Sequence, residues 1–146
     1  RIREDLGVPW SSINLSLSRL TEAGVLRGGR ISRQALATLL PALQYLVPAR
    51  PGDDRVHGIP TGVSSPGMEG RLVVPMPMVW ASQHGTTPGR PVAPLFRTIP
   101  DTALANADLH TLFGAIDAAR TGRARELKLA REVLAELVGL PEPMAA

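Results

Sequence analysis

The stretch DLGVPWSSINLSLSRLTEAGVLRGGRI, residues 5–31, contains one helical pattern between two glycines. Gly7 suits a tight turn that requires a positive φ, and Pro9 suits the first turn of a helix, where its missing N–H costs nothing. Three apolar residues then recur at helical spacing and predict one buried stripe: Ile13, Leu17 and Leu20. Because Gly24 can end a helix in the left-handed conformation, we expect the helix to run from Trp10 to Ala23.

A short β-hairpin is predicted directly after this helix. Two glycines separate Arg27 from Arg30, between the apolar residues Leu26 and Ile31, and such a pair is typical of a tight two-residue turn. The helix face opposite the apolar stripe carries mostly polar side chains: Ser11, Asn14, Leu15, Ser18, Arg19 and Glu22. The stretch therefore combines an exposed helix face with a hairpin that bears arginines.

This order of parts resembles the winged helix-turn-helix domains of bacterial transcription regulators, including the MarR-like group. The residues that carry the resemblance lie in roughly the first third of the chain: Leu6-Gly7-Val8, Ile13, Leu17, Leu20 and Glu22-Ala23-Gly24-Val25-Leu26. The resemblance implies a homodimer that places the helix from Trp10 to Ala23 in the major groove of double-stranded DNA. It implies contacts to base edges or phosphates from Trp10, Ser11, Ser12, Asn14, Ser18 and Arg19, and to flanking phosphates from Arg27, Arg30 and Arg33.

Leu15 departs from the pattern of these regulators, which often carry a basic or polar residue at this exposed position, and Arg19 is the only basic residue of the helix. The alternative is a winged helix with little DNA affinity that holds a partner protein through Trp10, Leu15 and a later apolar segment. Two short stretches also resemble small winged regulators found beside nucleotidyltransferase-like toxin genes: Ile116-Asp117-Ala118-Ala119-Arg120 and Gly122-Arg123-Ala124-Arg125-Glu126. This second resemblance implies an antitoxin that represses its own gene and contacts its toxin.

Composition narrows the classes of protein to which the chain can belong. The 146 residues, 44% hydrophobic and 20% charged, fit one compact domain, or a small domain with an extension, and no apolar run approaches the length of about 18 residues that a membrane span needs. The chain has no cysteine, which excludes disulfides and thiolate metal sites, and it shows no signal peptide, so we expect a cytoplasmic protein. The net charge of +3 is uneven, because residues 1–50 hold seven arginines against three acidic residues. The positive potential therefore lies on the winged part, where a polyanion would bind.

The predicted N-terminal unit spans residues 1–47. The chain opens inside a helical pattern, so we expect a trimmed form of a longer chain that lacks the first helix of this unit. Ser32 can cap a further helix from Arg33, which Pro41 must kink or divide. The apolar stripe of this helix is too broad for a surface helix: Ala35, Leu36, Leu39, Leu40, Leu43, Leu46 and Val47. Its breadth predicts burial against the C-terminal helices or against a second copy of the chain.

Proline and glycine dominate the middle of the chain. Residues 51–100 hold nine of the fourteen prolines and seven of the fourteen glycines, which excludes regular helices. The apolar residues 72–80 are interrupted by Pro75 and Pro77, a pattern compatible with an edge strand or a polyproline-like arm and incompatible with a central strand. We therefore expect residues 48–100 to form an extended arm packed over helices, with Gly58 to Gly70 as its mobile loop. The alternative is a flexible linker with incidental apolar residues.

Residues 101–146 form the predicted C-terminal helical region, which ends in a tail from Pro141. A short helix is predicted to end near Ala105, and two longer helices follow. Asn106 caps the first of the two, Gly122 separates them, and they pack as an antiparallel hairpin. Five basic residues lie around the turn of this hairpin and could bind phosphate or an acidic protein: Arg120, Arg123, Arg125, Lys128 and Arg131. The alternative is a solvated face on which they pair with Asp117, Glu126, Glu132 and Glu136. The whole chain is thus predicted to be mainly α with a small β-wing.

The sequence shows no recognisable catalytic or metal-binding pattern. The three histidines are far apart and lack the paired spacing of metal ligands, so we expect loop or surface positions for His57, His84 and His110. No phosphate-binding glycine loop and no nucleophile elbow occurs. The sequence therefore predicts no enzyme activity, no metal and no cofactor.

Overall fold

The computed structural model describes residues 6–139. This part of the chain is mixed α/β, with five helices, a two-stranded hairpin and a three-stranded sheet. The helices are α1 (Trp10–Glu22), α2 (Arg33–Leu46), α3 (Ile99–Ala105), α4 (Ala107–Arg120) and α5 (Ala124–Leu137). The strands are β1 (Leu26–Arg27), β2 (Arg30–Ile31), β3 (Val56–Thr61), β4 (Met78–Ala81) and β5 (Thr87–Pro91). The first five residues of the predicted N-terminal unit and the predicted tail lie outside the described residues.

The hairpin of β1 and β2 forms where the sequence predicts it. Its two-residue turn is Gly28-Gly29, with φ of +58° and +76°. Two successive positive φ values match the twist of a hairpin, and glycine adopts them without steric cost. The strands are antiparallel, with Leu26 opposite Ile31 and Arg27 opposite Arg30.

Helix α1 also forms as predicted, between Gly7 and Gly24, which have φ of +64° and +77°. Its apolar stripe is only partly buried, however. Ile13 is 7% exposed, whereas Leu17 and Leu20 are 41% and 39% exposed. The prediction of one buried stripe was therefore wrong beyond Ile13. Within residues 6–139, α1 packs mainly against β1, and a strand of two residues is too short to cover the stripe.

Helix α2 is capped by Ser32, whose hydroxyl accepts a hydrogen bond from the backbone N–H of Ala35 at 3.2 Å. It continues through Pro41. It packs against α4 and α5, in agreement with the prediction that its apolar stripe is buried against the C-terminal helices. Leu40 is 3% exposed, and its neighbours on the same face join the same core. Other large side chains of α2 stay exposed in the single chain: Leu39, Tyr45 and Leu46.

Residues 48–100 do not form the predicted extended arm. Strand β3 pairs antiparallel with both β4 and β5, and β4 and β5 pair in parallel, so each strand borders the other two. Gly58 permits this closure, because a Cβ at that position would overlap the carbonyl group of Trp80 on β4. Pro75 and Pro77, which suggested an arm, precede β4, whereas Pro60 lies inside β3 and Pro88 inside β5.

The stretch from Gly58 to Gly70, predicted as a mobile loop, is largely buried instead. After β3, one 3₁₀ turn, Gly62–Ser64, leads to Ser65 and Met68, both of which are 0% exposed. Met68 packs in a core cluster with residues of α4 and α5. The prediction failed because the surface that covers these residues lies about fifty residues later in the chain, in α4.

Helix α4 lies between two hydrophobic clusters. One cluster joins α2, α4 and α5 and includes Leu40, Met68, Ala118 and Leu134, and the other joins α3, α4 and the sheet and includes Ile59, Trp80, Ile99 and Phe113. The part of α4 between them is built from small buried residues: Gly114, Ala115, Ala118 and Ala119. Small side chains allow close approach on both sides, so α4 is the central element of the fold.

Replacing Gly114 by alanine is expected to destabilise the protein by about 1–3 kcal/mol, because a Cβ there would overlap the side chain of Ser65. This is opposite in sign to the usual effect, since alanine stabilises a helix interior relative to glycine by about 1 kcal/mol. Chemical denaturation of the full chain measures the change. The double variant Ser65→Gly with Gly114→Ala is the matched control and should recover most of the loss, whereas equal losses in both variants would contradict the packing argument.

Candidate nucleic-acid interface

One side of α1 forms an open, mainly polar surface. Side chains three, four and seven residues apart share a face of a helix, and here they are Ser11, Asn14, Leu15 and Ser18. Ser12 and Arg19, also seven residues apart, flank them. All six side chains are exposed, and together they are called the α1 face below.

Arginines surround the hairpin that follows. Arg27 and Arg30 lie directly opposite each other on β1 and β2, and Arg33 begins α2; all three are exposed. Like charges directly opposite each other are destabilising in a sheet unless a counterion lies nearby. Residues 6–46 contain four arginines and one glutamate, a net charge of +3. This part of the chain is therefore suited to an anionic partner.

All nine residues predicted to contact DNA lie at the surface: Trp10, Ser11, Ser12, Asn14, Ser18, Arg19, Arg27, Arg30 and Arg33. Six of them are on α1, two face each other across the hairpin, and one is in the first turn of α2. Exposure is a condition for contact with DNA. The contact itself stays a prediction.

The same helix also exposes apolar side chains that groove binding does not require. Trp10 is 53% exposed and Leu15 is 52% exposed, and Leu15 lies within the α1 face. The stripe residues Leu17 and Leu20 add further exposed apolar surface. Several large apolar side chains exposed on one helix are more than groove binding needs, so α1 also offers a surface for a protein partner.

A buried charged pair on α4 joins the sheet to the helices. The carboxylate of Asp117 accepts hydrogen bonds from the hydroxyl of Thr61 at 2.7 Å and from the indole N–H of Trp80 at 2.8 Å, and it pairs with the guanidinium of Arg120. Arg120 also donates to the backbone carbonyl oxygens of residues 47, 48 and 93. Burial raises the pKa of Asp117 above its ordinary value of 3.8, although Thr61, Arg120 and Trp80 oppose that shift.

This pair corrects the prediction for the basic cluster. Arg120 is 6% exposed and Asp117 is 2% exposed, so Arg120 is closed to phosphate or partner proteins, and the two do not form a solvated face. Glu126 is also buried; its carboxylate accepts a hydrogen bond from Thr121 at 2.8 Å and pairs with Arg123 at 3.3 Å. The other four basic residues of the cluster are exposed. The small residues around Asp117 and Arg120 were the sequence signal for a closely packed helix.

His110 differs from the predicted surface position as well. It is 8% exposed, its Nε2 lies 2.7 Å from the carbonyl oxygen of Pro60, and its ring centroid lies 5.6 Å from that of Trp80. It therefore connects α4 to the sheet, whereas His57 and His84 are exposed. Within residues 6–139, no group of three or more histidine or acidic side chains is arranged to hold a metal ion. No helix in this part of the chain combines the length and apolar character of a membrane span.

No protein-family model, no curated protein and no solved structure matches this chain.

Proposed function

We propose that this protein is a sequence-specific DNA-binding transcriptional regulator that acts as a homodimer in the cytoplasm. Its N-terminal part is a winged helix-turn-helix, in which α1 is the recognition helix and the hairpin of β1 and β2 is the wing. The α1 face enters the major groove of double-stranded DNA. Arg27, Arg30 and Arg33 bind the flanking phosphates, which fix the position of α1 without reading sequence.

The observation that carries this proposal is the pair of arginines facing each other on an exposed hairpin beside an exposed polar helix face. A phosphate backbone supplies the negative charge that this pair lacks among the described residues. On the α1 face, Asn14 has the donor and acceptor that match adenine, and Arg19 has the paired donors that match guanine. The serine hydroxyl groups can bond either to phosphates or to base edges.

The homodimer is inferred from α2. Leu39, Tyr45 and Leu46 are 41%, 81% and 69% exposed in the single chain, and a second copy would remove this apolar surface from water. A two-fold dimer also presents two recognition helices to two half-sites, which doubles the base contacts.

The exposed apolar residues of α1 support a second function. In this alternative, Trp10 and Leu15 bind a partner protein, such as a toxin encoded beside the regulator, and the winged helix has little affinity for DNA. An antitoxin that represses its own gene and also contacts its toxin would combine the two functions.

Leu15→Arg distinguishes the two functions. If the α1 face enters the groove, the added cation should tighten binding to any duplex at low salt and steepen the salt dependence by about one unit.

Asn14→Ala should instead remove about 1–3 kcal/mol from binding to the specific site and leave random duplexes unaffected, because it removes base contacts and no charge. Fluorescence anisotropy measures both affinities, and light scattering measures the oligomeric mass.

Leu104→Arg is the matched control, because Leu104 on α3 is 52% exposed, the same fraction as Leu15, and lies outside the α1 face. It adds the same charge and should change DNA affinity much less. If Leu15→Arg leaves DNA affinity unchanged and abolishes the dimer or a partner complex, the α1 face is a protein interface, and the second function replaces the first.

A further inference from the structure

A pocket of about 150 Å³ lies between the three-stranded sheet and the start of α5. Most of its wall is aliphatic or thioether surface, from Pro51, Val63, Val74, Pro75, Met76 and Met78. An apolar cavity of about this volume can hold a molecule the size of benzene. Two hydroxyl residues also line it, Thr61 and Ser64, and the hydroxyl of Thr61 already bonds to Asp117. The pocket therefore suits a small apolar skeleton.

One end of the pocket is charged. Arg90, Arg123 and Glu126 line it, so two cations face one carboxylate. Arg90 is fixed in place, because its Nε and Nη2 donate to the carbonyl oxygens of Gly52 and Pro51 at 2.9 and 3.2 Å, and Nη2 also pairs with the carboxylate of Asp53 at 3.4 Å. The side chain of Arg123 pairs with Glu126 at 3.3 Å and is 64% exposed, so it is free to bind a further acceptor. Arg90 and Arg123 each pair with one carboxylate, and the exposed guanidinium of Arg123 keeps donors for a further acceptor beside the apolar wall.

We propose that this pocket binds a small apolar monocarboxylate. Its branched or cyclic carbon skeleton packs against the two methionines and Val74, and its carboxylate binds Arg123, with Arg90 adding positive potential. A neutral hydrocarbon would use none of the donors of Arg123, and a polyol would bury most of its hydroxyl groups against apolar walls without partners. Methionine side chains adapt to irregular ligand shapes, which suits such a site. This proposal does not depend on DNA binding, and its test needs no DNA.

Methyl NMR of the methionines in the full chain provides the test. The sequence has four methionines: Met68, Met76, Met78 and Met144. Met76 and Met78 line the pocket, whereas Met68 is buried in the core outside it and reports whether the fold is intact. The probe is 3-methylbutanoate, and 3-methylbutan-1-ol is the neutral probe with the same carbon skeleton. The methyl signals are assigned with Met76→Leu and Met78→Leu.

The acid should shift the Met76 and Met78 signals saturably, with a Kd on the order of 1 mM for so small a ligand, and leave Met68 unchanged. The alcohol should bind at least about tenfold more weakly, because it carries no negative charge to pair with the guanidinium of Arg123. Arg123→Gln should weaken the acid by about tenfold without changing the alcohol. Arg125→Gln removes the same charge from an exposed neighbour that does not line this pocket, and it should change neither.

Three results would overturn the proposal. The first is no shift of Met76 or Met78 with either probe at about 20 mM, well above the expected Kd. The second is equal binding of the acid and the alcohol, because the site would then lack preference for the anion. The third is an equal loss in Arg123→Gln and Arg125→Gln, because the effect would then reflect net charge and not this pocket.

Discussion

Replacing Arg120 by methionine is expected to lower the free energy of unfolding by about 3–5 kcal/mol, the usual result of leaving one member of a buried ion pair without its partner. The guanidinium is 6% exposed and bonds both to Asp117 and to three backbone carbonyl oxygens. Without it, Thr61 and Trp80 still donate to the carboxylate, but no charge compensates that of Asp117. Urea denaturation of the full chain at neutral pH measures the loss.

The loss should become smaller at acid pH. Burial raises the pKa of Asp117 in the folded chain, and Arg120 is one of the groups that oppose this rise. Without Arg120 the folded pKa rises further above the unfolded value. A carboxyl group whose pKa is higher in the folded chain than in the unfolded chain stabilises the fold. This contribution is complete below the ordinary pKa of 3.8 and is lost as the pH rises through the pKa of the folded chain. The variant therefore regains stability relative to the unmodified chain as the pH falls through that window.

Arg125→Met is the matched control, because Arg125 is an exposed arginine at the start of α5. It should change the stability by no more than about 0.5 kcal/mol. A cost below about 1 kcal/mol for Arg120→Met, or a similar cost for both variants, would show that the buried pair does not hold the sheet to α4.

Replacing both Arg27 and Arg30 by glutamine should weaken binding to every duplex, whatever its sequence. Each phosphate contact contributes about 0.9 to the slope of log affinity against log salt, so losing two flattens the slope by nearly two units. At about 50 mM salt this corresponds to a loss of roughly a hundredfold. The ratio of specific to random affinity should stay nearly constant, because phosphate contacts carry no sequence information.

The matched control replaces Arg55 and Arg97, which are exposed arginines outside residues 6–46. Removing the same two charges there should leave the slope nearly unchanged. If the wing variant loses affinity only for the specific site, Arg27 and Arg30 read bases. If it loses nothing, the hairpin does not touch DNA.

The elements that the sequence predicts well are those whose signals are local. Ser32 and Asn106 accept hydrogen bonds from backbone N–H groups three residues later, at the start of α2 and α4, as their residue types indicate. The Gly28-Gly29 turn fixes its hairpin through the conformations of those two residues alone. Such signals need no knowledge of the rest of the chain.

The three-stranded sheet could not be predicted in this way. Its existence depends on the close approach of Gly58 to Trp80, and nothing in the local pattern of either residue indicates the other. The alternating prolines before β4 suggested an arm, because proline has no backbone N–H to donate to a neighbouring strand. That property does not indicate which strands pair with each other. The buried partners of Asp117 show the same limit, since Thr61 lies 56 residues away.

The sequence likewise predicted one part of the candidate interface correctly and another part wrongly. Exposure of the polar residues of α1 follows from helical periodicity, and the structure confirms it. The mixed charges near the α4–α5 turn suggested a solvated face, yet Arg120 and Glu126 are buried with their partners, which for Arg120 include carbonyl oxygens of residues 47, 48 and 93. Charge patterns alone do not distinguish a solvated ion pair from a buried one.

The central claim is that the α1 face reads DNA. It is tested most directly by measuring the affinity of the unmodified chain for a duplex of its own upstream region and for a shuffled duplex of the same composition, at about 50 and 200 mM salt. We predict steeply salt-dependent binding to the shuffled duplex and binding to the upstream region that is at least about a thousandfold tighter at the higher salt. Absence of binding to either duplex at the lower salt would contradict the claim.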